Sequence, residues 1–150
     1  MKKLYLLLVL GLTLHTLSAC KKCDPSNSNS GRIIEDAIVR VGSWKAQNPG
    51  NQFINSANEF SGTIEMSLDD GVSYQPVDFS KYSVFAQTTT SSCSSGYHRE
   101  VSLNAAKNIA TYSIEIVECS TCENLVTIGN WVLTSKVPSN FTAEFEIIKN

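Results

Sequence analysis

The amino-acid sequence predicts an all-β protein, a single antiparallel β-sandwich of about eight strands. Apolar and polar residues alternate with period two over most of the chain after Gly31, the mark of half-buried strands. Short polar loops separate these runs at regular intervals, which fits a sandwich or barrel rather than strand–helix units. The 150 residues are 42% hydrophobic and 17% charged, a composition that suits one core and excludes a disordered polymer or a coiled coil.

The N-terminus reads differently. Lys2 and Lys3 precede an uncharged, largely apolar run from Leu4 to Leu14, and Leu17-Ser18-Ala19-Cys20 follows. This is the layout of an export signal, too short to span a bilayer. The four residues match the lipobox at every position, and in this the chain resembles bacterial lipoproteins. The resemblance covers residues 1–20 and implies cleavage before Cys20, acylation of Cys20 with palmitate-type chains, and stable attachment to a cell-envelope membrane, the outer membrane favoured. Residues 1–19 are then the signal peptide. Their removal lowers Lys and Arg from 12 to 10 while all 14 acidic residues stay, giving a net charge of −4. An acidic exterior gives no electrostatic case for nucleic acid.

Residues 20–31, with KKCDPSNSNSG after the lipidated cysteine, are rich in Ser, Asn, Pro and Gly and read as a flexible tether. The β domain takes up residues 32–150. At its start Ile33, Ile34, Ala37, Ile38 and Val41 fit one helical face as well as a strand, and Ile38 to Gln47 is the first candidate strand. Phe60, Gly62, Ile64, Met66 and Leu68 form one face of the next, with Ser61, Thr63, Glu65, Ser67 and Asp69 on the other. Asp69-Asp70-Gly71 reads as a hairpin turn, the glycine accepting positive φ, into Val72 to Asp78. Lys81 to Thr90, Tyr97 to Ala105, Asn108 to Glu118, Asn124 to Thr134 and Phe141 to Ile148 continue the pattern. The run 124–134 is apolar on both faces, as a central strand must be. Trp44, Phe60, Tyr112 and Trp131 are the expected large core residues.

With Cys20 lipidated, Cys23, Cys93, Cys119 and Cys122 remain as an even set, which an oxidising compartment pairs as disulfides. If strands 81–90, 97–105, 108–118 and 124–134 form a meander, loops 91–96 and 119–123 meet at one end of the sheet. Cys119 and Cys122 can bridge across a turn, and Cys93 can reach either. A zinc set of Cys93, His98, Cys119 and Cys122 is the metal alternative. A redox reading of Cys119 and Cys122 needs a helix to follow them, whereas the following residues look like a strand. Glu123 rules out a CxxCH haem motif.

His98 is the one histidine left after signal removal, and neither GxSxG, HExxH nor a phosphate-binding glycine loop accompanies it. Asp69, Asp70 and Asp78 lack EF-hand spacing. No cofactor is implied, and the expected role is binding rather than catalysis. The loop end carrying Ser91 to His98 and Cys119 to Glu123, with Tyr97 and His98 as candidate contacts to a protein or a glycan, is the expected binding surface.

Two fold families compete for the domain. The strand count and loop spacing suit an immunoglobulin-like or related sandwich. Gly42-Ser43-Trp44 resembles the GxW motif of lipocalin-like up-and-down barrels, which implies a carrier of a small apolar ligand.

Overall fold

Among residues 26–42, 46–119 and 124–149, which the computed structural model describes, and apart from one short 3-10 turn at Ala57–Glu59, the regular structure consists of strands. In order these are β1 (Ser28–Gly31), β2 (Ile38–Val41), β3 (Asn51–Ile54), β4 (Ile64–Ser67), β5 (Gln75–Pro76), β6 (Tyr82–Ser92), β7 (Ser95–Asn104), β8 (Ile109–Glu118), β9 (Leu125–Ser135) and β10 (Thr142–Lys149). They form three sheets with strand orders β1-β7-β8-β10, β3-β6-β9 and β2-β4-β5. The fold is an all-β sandwich. Residue Trp44 and the cysteines at 20, 23 and 122 lie outside the described residues.

The sheet β3-β6-β9 is the middle layer, because β6 and β9 carry apolar residues on both faces. Phe85 and Val132 point to the β1-β7-β8-β10 sheet and join Val101, Tyr112, Ile114 and Ile116 in one core. Val84 and Leu133, one residue along, point the other way and pack with Ile54, Ile64, Met66 and Val77. A period of two places alternate residues on opposite faces, so each long strand feeds both cores. Trp131 and Phe60 meet edge to face, with ring centroids 5.9 Å apart. At Ser83, which is fully buried, the hydroxyl donates to Asn55 Oδ1 and accepts from the Val137 N–H at 2.9 Å. That polar contact ties β6 to the residues after β9 without leaving a buried donor unmet.

The pairing differs from a meander. β6 pairs antiparallel with β9, from Tyr82↔Ser135 to Ser92↔Leu125, and β7 with β8, from Ser95↔Glu118 to Asn104↔Ile109. The two residues Cys93 and Ser94 hand the chain from one sheet to the next, as corners between packed sheets do. The barrel alternative is overturned as well: the strands divide into three separate sheets, and Phe85 and Tyr112 fill the space a barrel would leave for a ligand. Two pairings are parallel, β1 with β7 and β10 with β8, where all were expected antiparallel. Side-chain alternation encodes a face and not a direction. β9, passing through the neighbouring sheet, supplies the long crossover that parallel β8 and β10 require.

β1 comes from residues whose composition reads as tether. Its polar side chains are no obstacle at a sheet edge, where the ladder is main-chain hydrogen bonding and the outer face is wet. Gly31 makes the approach possible: its φ is +70°, and a Cβ there would lie 2.3 Å from the Val101 carbonyl oxygen.

The 69–71 turn forms as expected. Asp70 and Gly71 take φ of 54° and 83°, and the Val72 N–H reaches the Asp69 carbonyl at 3.3 Å, the geometry of a type I′ hairpin turn. The Asp69 carboxylate accepts from the Ser67 hydroxyl at 2.6 Å, the Ser73 hydroxyl at 2.6 Å and the Ser73 N–H at 3.0 Å. These bonds, the Ser67 hydroxyl first, hold its pKa down to about 2. A folded-state pKa below the unfolded value, about 3.9, means stability that is complete at higher pH and lost as pH falls through the folded pKa. Asp69→Asn is therefore expected to flatten part of the loss of stability between about pH 4 and pH 2. Urea midpoints of both proteins at pH 5, 3 and 2 measure this; parallel curves would contradict it.

Candidate functional site

The expected loop end does come together, by a different route. The Cys93 N–H donates to the Asn124 carbonyl at 3.2 Å and the Cys119 N–H to the Ser94 carbonyl at 2.9 Å. Each extends the register of the strand pair beside it, so the corner at 93–94 lies against the ends of β8 and β9. These bonds bring Cys93 and Cys119 to the same end of the molecule. No group of three or more His, Cys, Asp or Glu able to hold a metal occurs among the described residues; Cys122, the fourth member of the zinc alternative, lies outside them. β9, from Leu125, follows Cys122 where a redox motif needs a helix.

Tyr97 is not displayed. It is buried, with its hydroxyl 2.6 Å from the Ser91 hydroxyl, because β7 begins at Ser95 and turns Tyr97 inward with Val101. That removes it as a stacking platform. His98, on the opposite face of β7, has Nδ1 2.6 Å from the Ser28 hydroxyl and lies in register with Glu115. It lines a shallow pocket of about 150 Å³ together with Ser30, Glu100 and Glu115.

A larger feature lies on the inward phase of β7, two residues from Tyr97. Arg99 lines a groove of about 280 Å³ that runs between Asn29 of β1, Ala37 to Val39 at β2, and Gly129 to Val132 of β9. Four strands build it. β1 and β7 bring Asn29 opposite Arg99 in parallel register. β9 is the last strand of its sheet, and the Leu133 carbonyl accepts from the Ile34 N–H at 2.9 Å on the side away from β6. With a two-residue period, the main-chain groups of Trp131 and Gly129 face that same side. Gly129 must be small, since a Cβ there would lie 2.3 Å from the Ala46 carbonyl oxygen.

The polar side chains are ordered by Asn130, which is buried. Its Nδ2 donates to the Thr89 hydroxyl at 2.8 Å and to the Gln87 carbonyl at 3.3 Å. The amide oxygen is left to accept from Arg99 Nε at 3.0 Å. The guanidinium carbon of Arg99 also lies 5.6 Å from the centroid of the Tyr97 ring, within cation–π range. Burial pulls the Arg99 pKa below its ordinary value, partly offset by Tyr112 and Tyr97, yet a guanidinium stays charged in proteins. Neither ion pair among the described residues involves it. Burial raises the Tyr112 pKa, so that hydroxyl is neutral and donates to the Asn130 carbonyl at 3.3 Å.

Sequence reasoning passed over Arg99 and Asn130. The signal was present: each interrupts an inward-facing row, Tyr97-Arg99-Val101 and Ile128-Asn130-Val132. A cation in such a row needs an explanation.

The second groove, about 180 Å³ beside Phe60, Ile64 and Phe79, is apolar and lies at the outer sheet. No helix among the described residues is long and apolar enough to cross a membrane. Comparison with protein-family models, curated proteins and solved structures finds no match to this chain.

Proposed function

We propose that this is a lipid-anchored protein of the bacterial cell envelope whose sandwich domain works by binding and not by catalysis. The observation that carries the anchor is Leu17-Ser18-Ala19-Cys20 placed directly after a basic and then apolar N-terminus. Acyl chains on Cys20 contribute about 0.8 kcal/mol per buried methylene, so two or three hold the protein in the bilayer where one would not. Disulfides among Cys23, Cys93, Cys119 and Cys122 suit the oxidising side of the inner membrane, and the outer membrane is the proposed location.

Binding is supported by the contrast between a filled core and a polar groove. Phe85, Tyr112 and Phe145 occupy the interior, which leaves surface recognition as the available mode. The proposed partner is another envelope protein or a glycan. Between Cys20 and Ser28 lie eight residue steps, at most about 29 Å when extended, so the partner must be reached close to the membrane.

Cys20→Ala tests the anchor. The wild-type protein is expected in the membrane fraction through a high-salt wash, and the variant in the soluble fraction. Retention of the variant on washed membranes would show that the lipid assignment is wrong.

A further inference from the structure

We propose that the groove beside Arg99 is a carboxylate site, taking a ligand whose acidic group lies next to an N–H or O–H donor. This deepens the binding reading above and rests on it. Nε of Arg99 is committed to Asn130, and Asn130 is itself held by Thr89 and Gln87. The plane of the guanidinium is therefore set in advance, and its two Nη groups have no hydrogen-bond partner among the described residues. A planar fork with free Nη donors matches the two oxygens of a carboxylate. Stability does not ask for this arrangement. A half-buried cation with no counter-ion costs free energy, and the same position on β7 is flanked by Tyr97 and Val101.

The second half of the inference comes from Asn29. Its Oδ1 is buried and has no hydrogen-bond partner, and it lines the same groove as Arg99. A buried acceptor without a donor is uncommon in folded proteins. A ligand that brings an anion to Arg99 and a donor to Asn29 satisfies both at once. The groove of about 280 Å³ runs along the outer edge of β9, and the main-chain groups of Gly129 and Trp131 that face it favour an acidic residue of a peptide as the ligand. A uronic acid of a glycan carries the same chemistry, a carboxylate with a neighbouring donor, and is the alternative outcome that the test tells apart.

The purified full-length protein in detergent is titrated calorimetrically with N-acetyl-aspartate and with glucuronate. Their neutral counterparts, N-acetyl-asparagine and glucose, are run in parallel. Saturable binding of one acid, with its neutral counterpart about tenfold weaker or worse, supports the site and names the source of the ligand. Arg99→Leu is expected to weaken that acid by about 10- to 150-fold, the range for a hydrogen-bonded charge. Binding of neither acid, equal binding of acid and neutral forms, or undiminished binding to Arg99→Leu would each overturn the proposal. The acid-to-neutral comparison uses the wild-type protein and stands even if the variant misfolds. Fractionation of Cys20→Ala is independent of these titrations, so failure of the anchor and failure of the site are separate results.

Discussion

Tyr112→Ala is expected to lower the stability of the folded protein by about 3–5 kcal/mol, the cost of deleting a large aromatic side chain from a core. Tyr112 is fully buried. Its ring centroid lies 5.9 Å from that of Phe85 and 6.3 Å from that of Phe145, so its loss opens a cavity between the two main layers. A domain of this size holds only about 5–15 kcal/mol in all, and the variant would sit near the edge of folding. Tyr112→Phe separates the ring from the hydroxyl. It keeps the packing, loses the 3.3 Å bond to the Asn130 carbonyl, and should cost only about 0.5–1.5 kcal/mol. Urea unfolding followed by circular dichroism measures both. A cost below about 1 kcal/mol for the alanine variant would mean that Tyr112 is not central to the core.

Asn130→Leu should have the next largest effect, about 2–4 kcal/mol, since each buried group left without its partner costs about 1–3 kcal/mol. Leucine has the same branched skeleton as asparagine and is the larger of the two, so cavity formation is not the cause. What disappears is the acceptor for Arg99 Nε and the donor to Thr89 and Gln87. Adding Arg99→Leu to this variant is expected to recover part of the loss, because removing both partners of a buried polar contact is far less costly than removing one. A double-mutant cycle by urea unfolding gives the coupling directly. If the two single losses simply add, Asn130 does not support Arg99.

The strands longest in sequence were the easiest to read. Residues 82–92, 95–104, 109–118, 125–135 and 142–149 all fall within a few residues of their alternating runs, because each buries at least one face and hydrophobic burial imposes the period. β1 escaped because it has no apolar side chain, and β3 because its two polar residues are followed by two apolar ones, Phe53 and Ile54, without alternation. Partner and direction were not legible at all. The run Tyr82 to Ser92 is equally content against β7 or β9 as far as its own side chains go; what selects β9 is that both strands need cover on two sides. Tyr97 was read as a displayed ring because it follows a Ser/Gly-rich stretch, yet that stretch is a two-residue corner and the strand has already begun. Arg99 was missed for the opposite reason: a charged residue in an alternating run is easily assigned to the wet face, and only the phase set by Tyr97 and Val101 places it inward.

The corner at Cys93 and Ser94 also bears on how the chain reaches this structure. β7 and β8 are joined by the turn from Ala105 to Asn108 and can pair as soon as both exist. β6 has to wait for β9, whose first residue pairs with Ser92 from position 125, and β1 has to wait for β7, with Ser28 and His98 separated by 70 positions. Loop closure over such distances precedes any gain from contact, which puts topologies of this kind among the slower folders, in milliseconds to seconds. A chain emerging N-terminus first therefore carries β1 unpaired until β7 exists, and β6 with only β3 beside it until β9 exists.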